Sequence, residues 1–217
     1  SKAILAVILV CAILTYGGVS LFVVAFAIYP IAKDLFKAAD IPKRLIPAAI
    51  ALGSFTFTMT ALPGTPAIQN AIPIPYYNTN VFAAPILGLI GGSIMFICGW
   101  LWLQSRARKA NAVGEGYGQH DEEDVGGVGA AKQASETLST HHTSFTVAMI
   151  PLVLVIALNA LLTYAIFPSL DFSALQTQFP DLNIAGSLGL WSIIISLVVA
   201  CTVLIVLRIG HWHNLQK

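Results

Sequence analysis

From Ala3 to Ala32 the chain runs for about 30 residues without a charged side chain. As one straight helix that run would be near 45 Å long, more than a hydrocarbon core of roughly 30 Å can cover. Its midpoint is Thr15-Tyr16-Gly17-Gly18-Val19-Ser20, where two glycines permit a tight turn. Further apolar stretches follow. Leu45 to Thr60, about 16 residues, is too short to cross, and it runs into Ala61-Leu62-Pro63-Gly64-Thr65-Pro66. Val81 to Leu103 and Phe145 to Phe167, each about 23 residues, are long enough to span with some tilt, and Gly186 to Leu207 is a fourth candidate. Hydrophobic residues make up 57% of the chain, charged residues 10%, and the mean hydropathy is +0.80. A soluble domain would carry about 25% charged residues, so the surface here must face a lipid bilayer. The predicted class is an all-α polytopic membrane protein.

Charge sorts the connections. Lys33, Lys37, Lys43 and Arg44 share one connection, and Arg106, Arg108, Lys109 and Lys132 another; Lys2 precedes the first stretch, and Arg208 and Lys217 follow the last. Neither 72–80 nor 168–185 contains Lys or Arg. By the positive-inside rule the basic segments are cytoplasmic and the two bare ones external. Lys2 and Lys33 then lie on one face, which makes 3–32 a re-entrant hairpin of two half-helices, about 14 residues and roughly 20 Å each, with its tip at Gly17-Gly18. Leu45 and Ile72 lie on opposite faces, so 45–72 crosses with a break at Leu62–Pro66, where Pro63 and Pro66 remove amide donors and Gly64 weakens the helix. Residues 81–103 are then a spanning helix, and 145–217 contributes two more.

Broken backbone at membrane depth survives only when buried in protein or lining a wet cavity. A break also exposes amides at one new helix end and carbonyls at the other. Thr65 reads as an N-cap with Pro66 at the first helical position, opening a short helix over 67–72 with Gln69 and Asn70 nearby. At the hairpin tip, 19–30 reads as the returning half-helix, with Ser20 in its first turn. Thr15, Ser20, Thr58, Thr60 and Thr65 add neutral oxygens that suit a hydroxyl-bearing anion or a dehydrated cation. Neither element contains Asp, Glu, Lys or Arg, so an anion would be held by helix ends and hydroxyls. The candidate substrate-binding set is therefore Thr15, Gly17, Gly18, Ser20, Thr58, Thr60, Gly64, Thr65, Gln69 and Asn70. Against it stands the frequent use of Gly, Pro, Ser and Thr in membrane helices for packing alone. Two breaks with polar rims favour a transport site.

Three runs carry a family resemblance: Thr15-Tyr16-Gly17-Gly18-Val19-Ser20-Leu21-Phe22-Val23; Ile41-Pro42-Lys43-Arg44-Leu45-Ile46-Pro47; and the long run Phe55-Thr56-Phe57-Thr58-Met59-Thr60-Ala61-Leu62-Pro63-Gly64-Thr65-Pro66-Ala67-Ile68-Gln69-Asn70. Over about residues 3–103 the sequence resembles the gluconate permease family of the ion-transporter superfamily of inverted-repeat carriers. The resemblance implies a symporter for gluconate or a related hydroxy-acid in a bacterial inner membrane, with a proton ahead of sodium as the coupling ion and a homodimer as one open assembly. It also implies a chain roughly twice as long, so this sequence is expected to be an internal fragment that lacks the first helices and a second repeat. One departure concerns the tip, where the family pattern has an aspartate and this chain has Gly17. The embedded segments then offer no carboxylate to carry a proton.

Residues 104–144 hold ten of the chain's 21 charged residues together with many glycines, which predicts a flexible cytoplasmic linker between two halves. The Asp121-Glu122-Glu123-Asp124 run and His120, His141 and His142 read as solvated linker, and His211 and His213 as interfacial beside Trp212. Asn159 and Tyr164 read as hydrogen-bonding partners between helices. Cys11, Cys98 and Cys201 lie in apolar stretches and read as buried hydrophobes. A net charge of +1 with no basic stripe gives no sign of nucleic-acid binding. Without His, Asp or Glu in the embedded segments, no enzyme active site, cofactor or metal site is predicted. A non-transporting membrane scaffold is the competing reading.

Overall fold

In a computed structural model, which describes residues 2–118, 145–179 and 184–212, every regular element is helical. Three stretches are long and apolar enough to cross a membrane: Pro85–Ala112, Met149–Ser169 and Ser187–Val206. Many of their large apolar side chains point outward, with Ile86 and Leu87 more than 70% exposed and Ile205 and Val206 about 60%. Helices that are apolar on every side belong in lipid. The chain is a polytopic all-α membrane protein, organised as two compact units.

The first unit comprises Ser1–Leu62 and Pro85–His142. It opens with α1 (Lys2–Tyr16) and α2 (Leu21–Ala38), a helical hairpin. Gly18 closes α1 at φ 92°, in the left-handed region that only glycine enters freely. Its N–H reaches the Thr15 carbonyl at 3.0 Å while that of Val19 reaches Leu14 at 3.2 Å, the paired bonds of a Schellman stop. The buried stripe Ile4, Val7, Ile8, Cys11, Ala12 and Thr15 of α1 has helical spacing, and Val24, Ile28, Ala32 and Phe36 recur every fourth residue on α2. The hairpin departs from expectation in its second arm. Instead of ending near Pro30 or Ala32, α2 passes through Pro30 to Ala38 and is 18 residues long. Charges at Lys33, Asp34 and Lys37 do not stop a helix; they only mark where it leaves an apolar medium.

A 3-10 turn (Lys43–Leu45) leads into α3 (Ile46–Ala51) and a π-helical turn, π1 (Leu52–Thr56). π1 lies against α1 so closely that a Cβ at Gly53 would sit 2.5 Å from the Ile8 carbonyl oxygen and 2.7 Å from Cys11 Cβ. The expected interruption at Leu62–Pro66 is wider than predicted: regular helix stops at Thr56 and resumes at Ile68. From the other side, α6 (Pro85–Ala112) packs Leu103 and Ala107 into the same core, and its Phe96 ring meets Phe57 at 5.4 Å.

The linker boundary expected at Gln104 is also corrected, because α6 continues to Ala112. Gly114 (φ 78°) ends it with a second Schellman pair, Gly114 N–H to Asn111 and Glu115 N–H to Ala110. Residues 115–117 then dock on the α2–α3 elbow. Arg44 donates Nε and Nη2 to the two Glu115 carboxylate oxygens at 2.8 and 2.7 Å, the Tyr117 N–H donates to Asp40 Oδ1 at 2.8 Å, and the Tyr117 ring is buried in the core. The acidic run at Asp121–Asp124 and His120, His141 and His142 lie outside the described residues, as does His213.

The second unit comprises Pro63–Ala84 and Thr143–Lys217. Two single-turn helices, α4 (Ile68–Ala71) and α5 (Ile74–Tyr77), precede a turn in which Asn78 is left-handed at φ 49°. α7 (Phe145–Leu161) runs into a second π-helical turn, π2 (Leu162–Ile166), and then into the short α8 (Phe167–Ser169). After α9 (Ser173–Gln178), the long α10 (Ile184–Trp212) returns along α7. Ile74, Val81 and Ile193 form a small core where α5 meets α10, and a Cβ at Gly189 would stand 2.6 Å from Ile74 Cγ2. Between α7 and α10 the fully buried polar side chains are Asn159, Ser192 and Ser196.

Candidate functional site

Six of the ten residues singled out from sequence fall in the first unit. Thr15 is buried on α1 and donates its hydroxyl to the Cys11 carbonyl at 2.8 Å. Gly17 and Gly18 make the turn. Ser20 is the N-cap residue of α2 rather than a member of its first turn; its hydroxyl is exposed and makes no capping bond. Thr58 is buried and donates to the Gly53 carbonyl at 2.6 Å, while the exposed Thr60 donates to Thr56. Thr56 itself donates to Leu52 at 2.8 Å. The Thr15 proton is therefore committed to a carbonyl of α1, and those of Thr56, Thr58 and Thr60 to carbonyls of π1. What Thr15, Thr58 and Thr60 can still offer is oxygen lone pairs, a property that suits a cation. Donors for an anion must come from the Ser20 hydroxyl and the opening amides of α2. Ser54, one residue beyond Gly53, is fully buried, with its hydroxyl beside the Cys11 thiol.

The other four lie in the second unit. Gly64 adopts φ 86°, and its N–H donates to the Val81 carbonyl at 2.8 Å, closing the loop over residues 64–81. Thr65 is fully buried. It is not the N-cap it resembles, since that position is Ala67 and Pro66 lies outside the helix. The Ala67 N–H reaches Thr65 Oγ1 only at 3.4 Å, a weak bond. The expected helix over 67–72 is the four-residue α4, a single turn whose summed dipole is small, so an anion site built on its N-terminus is not supported. Gln69 is exposed and Asn70 half-buried.

One cavity, lined by both polar and apolar residues, has no local signature in the sequence. It lies within the second unit, has a volume of about 280 Å³, and is lined by Asn78, Thr79, Asn80, Thr163, Pro168 and Gly189 among others. The available signals were the Asn78-Thr79-Asn80 run and the proline that follows an apolar stretch. Neither announces that segments about 85 residues apart meet, a distance no local pattern carries.

Helices of this length and apolarity define a polytopic membrane protein. A protein of Bacillus subtilis (strain 168), named as the uncharacterized transporter YxjC, is 47% identical to this chain over 203 residues, covering 91% of the chain and 43% of that relative. The chain thus spans less than half the length of the relative it matches. No family model and no solved structure matches it.

Proposed function

We propose that the chain is part of a secondary active transporter, a symporter that moves a small organic acid such as gluconate or a related hydroxy-carboxylate across the bacterial inner membrane. The observation that carries this reading is the interrupted backbone. Helix gives way at Gly17–Ser20 and again over 57–67, in an apolar chain whose polar rims hold Thr, Ser, Asn and Gln and no charge. The likeness to a protein named a transporter supports a transport role. The resemblance of residues 15–23, 41–47 and 55–70 to the gluconate permease family supplies the substrate class in this reading.

Two juxtapositions support the sidedness that charge predicts. In the first unit the basic connections meet, through Arg44–Glu115 and Asp40–Tyr117. In the second, both bare connections contribute to one cavity, through Asn78–Asn80 and Pro168. Segments that share a face of the membrane are free to touch in this way, and the basic face is then the cytoplasmic one. With the threonine oxygens acting as acceptors, the coupling ion sits on the Thr15–Thr58–Thr60 side and the anion at the opening of α2. A proton stays ahead of sodium as that ion on the family motifs, although lone pairs alone serve either.

Full-length protein in sealed vesicles should accumulate labelled gluconate, glycerate or citrate when a proton or sodium gradient is imposed. Gly18→Leu and Thr65→Val should abolish that uptake while the protein still inserts. The back-bonding of the threonines also suits a scaffold whose breaks only pack helices. Absence of uptake under either gradient would favour that second reading.

A further inference from the structure

We propose that the cavity of the second unit is a binding site for the hydroxylated carbon chain of a small polyol or sugar acid, engaged through its hydroxyls and not through its carboxylate. This deepens the carrier reading and rests on it for the occupant's class.

The walls of the cavity set its chemistry. Asn80 Oδ1 accepts the Phe82 N–H at 2.8 Å, which fixes the amide and leaves its NH2 as the end it can offer a ligand. Asn78 is held at left-handed φ 49°, a conformation that a short amide side chain tolerates. Opposite, Thr163 lies in the π2 turn. The Phe167 N–H goes to the Leu162 carbonyl, and Pro168 has no N–H, so the Thr163 carbonyl has no donor from the fourth or the fifth residue beyond it. The Thr163 hydroxyl donates to Asn159 Oδ1 at a long 3.5 Å, and Asn159 keeps its NH2 buried without a partner one helical turn further in. Phe167 and Leu188 complete the lining with apolar surface.

Amide and threonine groups set beside apolar surface from Phe167 and Leu188 match a polyhydroxylated chain, which presents donors and acceptors on its hydroxyls and C–H groups between them. No Lys, Arg or His lines the cavity among the described residues, so a carboxylate finds no counter-charge there. At about 280 Å³ the space is at the small end for ligand sites, which run upward from roughly 300 Å³. Its lining from both connections that lack Lys and Arg puts the site at the outer end of the unit, where a compound would first be accepted.

The test uses the full-length protein in lipid nanodiscs, with Cys98 and Cys201 replaced by alanine and Thr79→Cys as a local reporter. The rate at which a water-borne maleimide labels position 79 is followed with sorbitol, gluconate or hexanoate present. Sorbitol and gluconate should slow labelling at concentrations within about tenfold of one another, and hexanoate should protect at least about a hundredfold less well. Adding Asn80→Asp, which keeps the acceptor for Phe82 N–H but loses the donors, should raise the protecting concentration of the uncharged sorbitol about tenfold or more. Equal protection by hexanoate, or no protection by either hydroxylated compound, overturns the site. Uptake assayed on the same protein separates the two proposals: uptake without protection sinks this site alone, and protection without uptake sinks the carrier reading alone.

Discussion

Glycines in this chain divide by what surrounds them, and substitution should expose the difference. A Cβ at Gly53 would collide with the Ile8 backbone, which cannot move without displacing α1. Gly53→Ala should therefore destabilise by about 1–3 kcal/mol, the usual range for overpacking. Gly91 on α6 has open space within 4 Å of the same position, so Gly91→Ala should be neutral or gain up to about 1 kcal/mol from helix propensity. Thermal unfolding of the purified protein in mild detergent, followed by far-ultraviolet circular dichroism, measures both. At Gly18 the penalty is conformational: φ 92° costs a side chain roughly 1–2 kcal/mol. The Gly17-Gly18 turn was legible from sequence because a glycine pair inside an over-long apolar run has few other uses. The role of Thr65 was not. Thr-Pro reads as an N-cap and first helical residue, but the helix starts two residues later than that pattern implies and Ala67 takes the cap.

At the scale of elements, the strap formed by residues 115–117 tests where stabilisation resides. The Arg44–Glu115 pair has ideal bidentate geometry, yet both side chains are largely solvated, at 63% and 44% exposure. Tyr117, by contrast, is 7% exposed and packs in the main core of the first unit. Arg44→Ala should leave the unfolding midpoint nearly unmoved, whereas Tyr117→Ala should cost about 3 kcal/mol. Burial above all, with the neighbouring Tyr29 and Asp34 adding to it, pushes the Tyr117 phenol above its usual value near 10. A raised folded-state value means that the native form holds its proton more tightly than the unfolded chain does. Its contribution is full below pH 10 and is lost as pH climbs through the raised value, so stability should fall on that alkaline side. Tyrosinate absorbance at 295 nm, compared with Tyr117→Phe, measures it. Sequence placed the starts of elements better than their ends. Lys33, Asp34 and Lys37 in α2 and Arg106, Arg108 and Lys109 in α6 read as the close of an apolar run, and both helices continue through them because Lys and Arg are good helix formers in water and a single Asp costs only roughly a few tenths of a kcal/mol. The π turns left no trace in the sequence, since an extra residue per turn changes no composition.

For the whole molecule, apolarity and charge parity made the membrane class legible at once, because few chemistries tolerate 57% hydrophobic and 10% charged residues. The cavity of the second unit was not legible: it is assembled from the 78–80 turn, the π2 region and α10, and long-range assembly follows from packing. A carrier built this way needs the non-helical backbone at Gly17–Ser20 and over 57–67 to face water inside the protein. Single cysteines at Gly17 and Thr65 test it most directly, introduced into full-length protein with Cys98 and Cys201 replaced and the buried Cys11 retained. Both should react with a membrane-impermeant thiol reagent applied from one side or the other, and gluconate or a related hydroxy-carboxylate should slow the reaction. If neither position reacts from either side, in protein shown to be inserted, the backbone breaks are dry packing features and the carrier account is contradicted.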